Sequence, residues 1–214
     1  MGLTDLSLTA FLDEIDSNSP APGGGSASAL AGALAASLAK MVGALTIGKK
    51  KYETLAEECK LEFVSVLQMM GEIKEDLHRA IDRDTEAFNQ VMDAYKLPKS
   101  TEEEKAFRHQ QIQKATLLAI ASPEMIATAA QKGLKTMEII LKVGNRNTLS
   151  DMGVAVLLFS SALEGAILNI KINLPGLDDR PLAEAYTLKN ESMLKEMEIN
   201  KKRLLAEIHQ AILG

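Results

Sequence analysis

The sequence has few of the residues from which disulfides and metal centres are built. Its 214 residues include one cysteine, Cys59, and three scattered histidines, His78, His109 and His209. A single cysteine excludes an intrachain disulfide and a cysteine-rich metal cluster. The histidines lack the short spacing of a zinc site, so we expect no structural metal. Cys59 lies in a charged stretch without a nearby base that could activate it as a nucleophile.

Aromatic residues are scarce, and the chain carries no excess of positive charge. Aromatics make up 4% of the chain and tryptophan is absent, whereas 46% of the residues are hydrophobic. A core rich in Ala, Leu, Met and Ile is most easily built from helices that lie close together through small side chains. The net charge of −5 argues against nucleic-acid binding, which normally requires a basic face. The length fits one domain spanning residues 1–214.

One segment is apolar enough to raise the question of a membrane span. Residues 26–47 are almost uncharged and long enough to cross a bilayer, but Lys40 interrupts them and no second span is evident. The small residues Gly25, Ala29, Ala33 and Ser37 recur every fourth position, which equally suits a buried helix of a bundle. The acidic N-terminus does not resemble a secretory signal. We therefore predict a cytoplasmic protein without membrane contact.

Hydrophobic periodicity predicts an all-α protein folded as an up-and-down helical bundle. No segment alternates apolar and polar residues over a useful length, and breakers such as Pro98 and Gly144 separate the helical segments. Residues 26–46 and 154–172 are apolar nearly all round, so we expect a homodimer in which a second copy covers them. Helices are predicted to start at a Ser7 cap, a Ser26 cap, Tyr52, Thr101, a Ser122 cap before Pro123, Ser150 or Asp151, and Leu182.

One acid, Asp84, falls on the apolar face of the longest predicted helix. At about 3.6 residues per turn, Asp84 shares one stripe with Leu77, Ile81, Phe88 and Val91. A carboxylate in that position would be partly desolvated, which raises its pKa and suits a carrier of protons. The alternative is an acid that pairs with a basic residue of a neighbouring helix.

A dense cluster of breakers precedes the small-residue helix. Glycines allow a ligand to approach the backbone, and the free N–H groups at a helix start favour an anion. The cluster lacks the spacing of a phosphate-binding loop, and a stiff turn with a capping serine explains it equally well. Its candidate ligand-binding residues are Pro22, Gly23, Gly24, Gly25 and Ser26.

Two further polar groups are candidates for ligand binding. The run Lys49, Lys50 and Lys51 is either a solvated loop or, in an acidic protein, a site for a polyanionic tail. Side-chain amides both donate and accept, so asparagines suit a heterocycle or a polar intermediate, although helix capping also explains those near a helix start. The candidates of this second group are Asn145, Asn147, Asp151, Asn169 and Asn173.

Taken together, these segments resemble a known family, the formiminotetrahydrofolate cyclodeaminases and methenyltetrahydrofolate cyclohydrolases. The resemblance covers residues 8–174, and the order and separation of the motifs make it specific. The motifs are residues 19–26 (SPAPGGGS), Met41-Val42 with Thr46, residues 49–52 (KKKY), 84–88 (DTEAF), 94–99 (AYKLPK), 144–147 (GNRN) with Ser150-Asp151, and 169–174 (NIKINL).

The resemblance implies a dimeric all-α bundle that acts on a reduced folate. In the family, the acid that matches Asp84 is taken as the catalytic residue, and the glycine-rich turn and the lysines would border the folate. Folate carries its own reactive nitrogens, so we expect no cofactor beyond the tetrahydrofolate substrate and no metal. We favour the cyclodeaminase reaction, with the cyclohydrolase reaction and a non-catalytic folate-binding or interaction dimer as alternatives.

Overall fold

The computed structural model describes residues 2–213, and all regular elements in this range are helices, which confirms the all-α prediction. Short 3-10 turns at Leu3–Asp5, Arg146–Thr148 and Leu174–Gly176 join some of them. The helices are α1 (Leu8–Ile15), α2 (Gly24–Ala44), α3 (Lys50–Glu53), α4 (Glu57–Lys96), α5 (Glu102–Val143), α6 (Leu149–Asn173) and α7 (Arg180–Leu213).

The bundle is organised around α2, which contacts α4 and α6 extensively and α5 less so. Four alanines of α2 are fully buried, namely Ala29, Ala35, Ala36 and Ala39. A Cβ added at Gly32 would lie 2.8 Å from Leu77 of α4 and 3.3 Å from Ala162 of α6. Small side chains therefore let the three helices lie close together, as the spacing of four predicts.

Helix α7 covers α5 and α6 with a narrow apolar stripe. Met197, Leu204 and Ile208 of this stripe are buried, whereas Ile212 near the C-terminal end of the helix is 54% exposed. Its acids also contact α5, for example through the 2.8 Å pair of Lys135 Nζ with Glu196 Oε1. The helix thus closes one side of the bundle.

Neighbouring helices α2 and α6 keep large apolar side chains on the surface, and we call this surface the α2–α6 face. Successive exposed positions of α6 recur every three or four residues, as expected for one side of a helix. Exposure reaches 62% at Leu168 and 79% at Ile172. The members of the face are Leu34, Met41, Val154, Leu157, Leu168 and Ile172.

Several predicted helix starts were wrong. Gly23, not Ser26, is the N-cap of α2, and Ser26 lies in the first turn of that helix. Ser122 and Pro123 start no helix, because α5 runs through both. The long helix α4 begins at Glu57, and Tyr52 belongs to the separate short helix α3. Tertiary contacts outweigh local capping signals at these positions. The predicted Thr101 cap is confirmed, with Glu104 completing a capping box.

Two helical segments are long and apolar enough to cross a membrane by length and composition, where the sequence suggested one. They are Gly24–Ala44 and Arg146–Gly176, and 50% and 56% of their most apolar windows are buried within the bundle. Buried core helices of a bundle meet the same criteria.

Candidate functional site

Asp84 lies where α4 passes the first turn of α2. The hydroxyl of Ser26 donates a 2.7 Å hydrogen bond to the carbonyl of Ile81, so α2 is attached to α4 one turn before the acid. Gly25 contacts the carboxylate itself, since a Cβ added there would lie 2.2 Å from each carboxylate oxygen. The absence of a side chain at position 25 is therefore what gives the Asp84 carboxylate its position.

Two asparagines of α6, Asn169 and Asn173, line the same cavity as Asp84. The Nδ2 group of Asn169 donates to the carbonyl of Gly165 (2.8 Å), and a Cβ at Gly24 would lie 3.2 Å from that Nδ2. Asn173 Nδ2 donates to the carbonyls of Asn169 (2.8 Å) and Ala119 (3.4 Å). Together they form what we call the Asp84 pocket, a cavity of about 100 Å³ lined by Asp84, Phe88, Val91, Ala119, Asn169 and Asn173.

Burial raises the pKa of Asp84 above its ordinary range, while the backbone N–H of Ser26 at the start of α2 acts in the opposite direction. No basic side chain within residues 2–213 forms an ion pair with Asp84. The structure therefore favours the interpretation of Asp84 as a desolvated acid over that of a salt-bridged one. A carboxyl group with a raised pKa is better suited than an exposed one to accept and return a proton.

The lysines and the Asn145 turn meet at the opposite end of α2. We call this cavity of about 350 Å³ the basic pocket. Lys49, Lys51 and Arg146 bring three positive charges to it, and all three residues are exposed. A cluster of solvent-accessible cations of this kind can bind a polyanion. The lining residues are Thr46, Lys49, Lys51, Tyr52, Val143, Gly144, Asn145, Arg146 and Asn147.

Asn145 builds this pocket rather than offering its amide to it. Its Nδ2 donates to the carbonyl of Leu45 (3.1 Å), and its Oδ1 accepts from the backbone N–H of Asn147 (3.0 Å). Its own backbone N–H donates to the hydroxyl of Thr46 (2.9 Å). These bonds tie the start of α6 to the end of α2, so Asn145 serves as a structural residue of the turn.

The predicted site residues therefore fall into two groups at the two ends of α2. That helix has 21 residues, which corresponds to about 30 Å at 1.5 Å per residue. Seven of the predicted site residues line neither cavity, namely Pro22, Gly23, Gly24, Gly25, Ser26, Lys50 and Asp151. Of these, Gly24 and Gly25 contact the lining residues Asn169 and Asp84. Sequence reasoning missed Arg146 as a third cation and Ala119 as a wall of the Asp84 pocket. The proline inside α5 is the signal that would have drawn attention to Ala119.

No metal-binding cluster of three or more His, Cys, Asp or Glu side chains occurs within residues 2–213. What the two sites offer instead is one desolvated acid with amide groups at one end, and a cluster of cations at the other. Acid–base chemistry on an anionic ligand requires groups of these two kinds.

Comparison with known proteins identifies the family. The profile of the formiminotransferase-cyclodeaminase family matches residues 7–192. The chain belongs to this family, and it is an enzyme of folate one-carbon metabolism that has either cyclodeaminase or cyclohydrolase activity. The sequence-based recognition of the family is thereby confirmed.

Individual relatives differ in length and in named activity. The chain is 39% identical over 205 residues to a methenyltetrahydrofolate cyclohydrolase of Methylorubrum extorquens, covering 96% of this chain and 97% of that protein. It is 31% identical to the formimidoyltransferase-cyclodeaminase of Rattus norvegicus, of which it spans 37%. The crystal structure of formiminotetrahydrofolate cyclodeaminase from Thermotoga maritima superposes with a TM-score of 0.77 at 29% identity, covering 98% of this chain and 96% of that one.

Proposed function

We propose that this enzyme moves protons at the one-carbon bridge of tetrahydrofolate and that Asp84 is the group that carries them. The observation that supports this most directly is the largely buried carboxyl group, held against Gly25 in a small pocket of mixed polarity without a cationic partner within residues 2–213. A raised pKa brings a carboxyl group closer to the pH at which the enzyme works, and an acid–base group transfers protons best when its pKa is close to that pH.

We place the cyclohydrolase reaction first, which interconverts 5,10-methenyl- and 10-formyltetrahydrofolate. The support is the cyclohydrolase relative, whose whole length matches this chain at 39% identity. The sequence motifs alone favoured the cyclodeaminase reaction, which converts 5-formiminotetrahydrofolate to 5,10-methenyltetrahydrofolate and ammonia. That reaction is the second candidate, supported by the fold and near-complete coverage of the Thermotoga maritima cyclodeaminase.

In the cyclohydrolase direction, water attacks the methenyl carbon while the Asp84 carboxylate takes one proton from it. The product is a neutral tetrahedral adduct with a hydroxyl on the carbon. Asp84 then returns its proton to N5 as the bond from the carbon to N5 breaks. The hydroxyl loses its proton to solvent and becomes the formyl oxygen on N10, so one proton is released overall.

In the cyclodeaminase direction, N10 attacks the carbon of the protonated formimino group on N5. Asp84 takes the proton from N10 and returns it to the amino group of the tetrahedral adduct. The bond from the carbon to that nitrogen then breaks, releasing ammonia and leaving the methenyl bridge. Both reactions pass through an adduct at the same carbon, so one positioned acid serves either of them.

The experiment that tests the function follows the near-ultraviolet absorption of methenyltetrahydrofolate with purified protein. Enzyme-dependent decay of the band at mildly acidic pH, where spontaneous hydrolysis is slow, supports the cyclohydrolase. Growth of the band from formiminotetrahydrofolate, with ammonia released in equal amount, supports the cyclodeaminase. No acceleration in either assay would refute both and favour the non-catalytic folate-binding dimer.

We further propose that the enzyme works as a homodimer in which the basic pocket of one subunit serves the Asp84 pocket of the other. The Asp84 pocket, at about 100 Å³, is smaller than the roughly 300 to 1,000 Å³ of a typical ligand site. A folate with a single glutamate is shorter than α2. An antiparallel pairing of two copies across the α2–α6 face brings opposite ends of the two α2 helices together and buries exposed apolar side chains.

A mixed dimer tests this arrangement. One subunit carries Asp84→Asn and the other carries Lys49→Glu with Lys51→Glu, each with its own affinity tag. If the sites are shared, the mixed dimer contains one site with every change and one with none, so it regains about half of the wild-type activity on a polyglutamylated folate. Shared sites give the active half of the mixed dimer the wild-type KM. A mixed dimer with the raised KM of its lysine-variant parent would contradict shared sites and would favour a long tail that reaches along α2 of one subunit.

The ligand is proposed to be a polyglutamylated reduced folate, because the basic pocket contains three cations that suit several carboxylates. The reaction is proposed to occur in the cytoplasm without a cofactor besides the folate, whose own nitrogens supply the chemistry. Dialysis against a chelator should leave the rate unchanged, and loss of activity that a metal restores would contradict this part of the proposal.

A further inference from the structure

Pro123 lies inside the long helix α5, where proline is ordinarily unfavourable. Proline has no N–H, so the backbone hydrogen bond that would run from residue 123 to the carbonyl of Ala119 cannot form. The same carbonyl accepts a hydrogen bond from the side chain of Asn173 on α6 (3.4 Å), and Ala119 lines the Asp84 pocket. The one proline of the helix thus frees a carbonyl that is used at the site.

The consequence lies in the orientation of the Asn173 amide. An amide nitrogen has two N–H groups, and here both donate, one to the carbonyl of Asn169 (2.8 Å) and one to that of Ala119. A flipped amide would direct its oxygen at two carbonyl oxygens, which is unfavourable. Asn173 Oδ1 is therefore the atom left to accept a hydrogen bond, and it accepts none from residues 2–213.

We infer that Pro123 is a positioning residue that, by freeing the Ala119 carbonyl, orients Asn173 so that Oδ1 accepts a hydrogen bond from an N–H group of the substrate. This rests on the proposed function, since a reduced pterin ring carries several N–H donors, at N3, N8 and the 2-amino group. The Asp84 pocket then selects ligands that present a donor to Asn173. The inference goes beyond the proton chemistry of Asp84, because it concerns how the ring is held.

The test compares Pro123→Ala, Asn173→Ala and the double variant, with Ser122→Ala as the matched control. Ser122 is the buried neighbour of Pro123, and its hydroxyl has no hydrogen-bond partner within residues 2–213. Pro123→Ala restores an N–H that competes for the Ala119 carbonyl and removes a proline from a helix interior. We expect the melting temperature to stay the same or rise, and KM to rise about fivefold, the effect of one hydrogen bond, with kcat nearly unchanged.

The double variant and the amide signals separate a positioning role from a general one. If Pro123 acts through Asn173, the double variant has the KM of Asn173→Ala alone. The NMR signals of the Asn173 side-chain NH2, identified by their loss in Asn173→Ala, shift and exchange faster in Pro123→Ala but not in Ser122→Ala. Unchanged amide signals and KM in Pro123→Ala, or fully additive KM effects in the double variant, would overturn the inference. If the wild type turns over neither folate, the proposed function fails, and the amide signals still decide whether Pro123 orients Asn173.

Discussion

The two ends of α2 are built in different ways. At its start, helices α2, α4 and α6 are in direct contact, and the Asp84 carboxylate rests on the backbone of Gly25. Beyond its end, the basic pocket is formed by the connection to α4 and by the turn around Asn145, and its lysines are exposed. Proton transfer requires an acid held in one place and shielded from water. Recognition of a charged tail requires only cations within reach, so long solvated side chains suffice.

The largest expected effect is at the first of these ends. Asp84→Asn keeps the size of the side chain and its contact with Gly25 but can neither take nor return a proton. We expect the turnover rate to fall by a factor of about 100 to 10,000, the usual contribution of a general acid–base group, with the helical circular-dichroism spectrum unchanged. A variant that retains a near-normal rate would remove Asp84 from the mechanism.

The contact between Gly25 and the carboxylate gives the second prediction. In Gly25→Ala the added Cβ would lie 2.2 Å from both carboxylate oxygens, so the Asp84 side chain must turn away. We expect kcat to fall by a factor of about 10 to 100, as displacement of a catalytic group by about 1 Å does. The fold should hold, because alanine suits the first turn of a helix better than glycine.

A matched glycine shows whether this loss is local. Gly153 lies in the interior of α6, and a Cβ there would meet Ile208 at an ordinary 3.6 Å. Gly153→Ala should keep the wild-type kcat. Equal losses in both variants would point to a general disturbance of the bundle, and wild-type kcat in Gly25→Ala would mean that the exact position of the carboxylate is unimportant.

Changes at the basic pocket should alter KM rather than kcat. Replacement of Lys49 and Lys51 by glutamine removes two exposed cations from the basic pocket. We expect KM for a polyglutamylated folate to rise about fivefold at low salt, because each exposed charge pair contributes about 0.2–1 kcal/mol. KM for the monoglutamate and kcat should change little, and the difference should shrink at high salt.

The control for this prediction removes the same charge elsewhere. Lys195 and Lys202 are exposed on α7, so the double variant Lys195→Gln with Lys202→Gln has the same net charge. A similar rise in KM there would indicate long-range steering by net charge rather than a tail site. An equal effect of the Lys49 and Lys51 changes on monoglutamate and polyglutamate would also contradict the tail site.

The two ends also differ in how far the sequence could predict them. Helix periodicity over a long regular segment was enough to place Asp84 on a buried face, because the apolar residues that share its stripe recur at the spacing of one helix face. Which residues of other helices meet that face depends on tertiary contacts, so helix periodicity did not predict that Gly25 contacts Asp84 or that Ala119 lines its pocket. Pro123, four residues after Ala119, was the available signal for the latter. Ser122-Pro123 was misread because its local pattern is that of a helix start, whereas buried neighbours on both sides hold α5 continuous. The side-chain amide of an asparagine is suited to ligand recognition, yet that of Asn145 forms hydrogen bonds within the turn.

The smallest predicted effect is on stability, and it sharpens the contrast between a desolvated and an exposed acid. Burial holds the pKa of Asp84 above its ordinary range, so folding favours the protonated carboxyl. Stability from this group is full below the unfolded-chain pKa of about 3.9 and declines as the pH rises through the higher folded-state pKa. The Asp84→Asn variant is neutral at this position throughout this range, so its melting temperature should exceed that of the wild type at pH 7.

Melting curves of both proteins between pH 4 and pH 8 measure this difference, which should shrink as the pH falls and Asp84 becomes protonated in both folded and unfolded chains. Asp13→Asn, at an exposed position of α1, provides the comparison and should show little difference at any pH. If Asp84→Asn is less stable than the wild type at pH 7, the ionised carboxylate stabilises the fold through the start of α2. Asp84 would then be a structural anion, and the proton-carrying role would lose its physical basis.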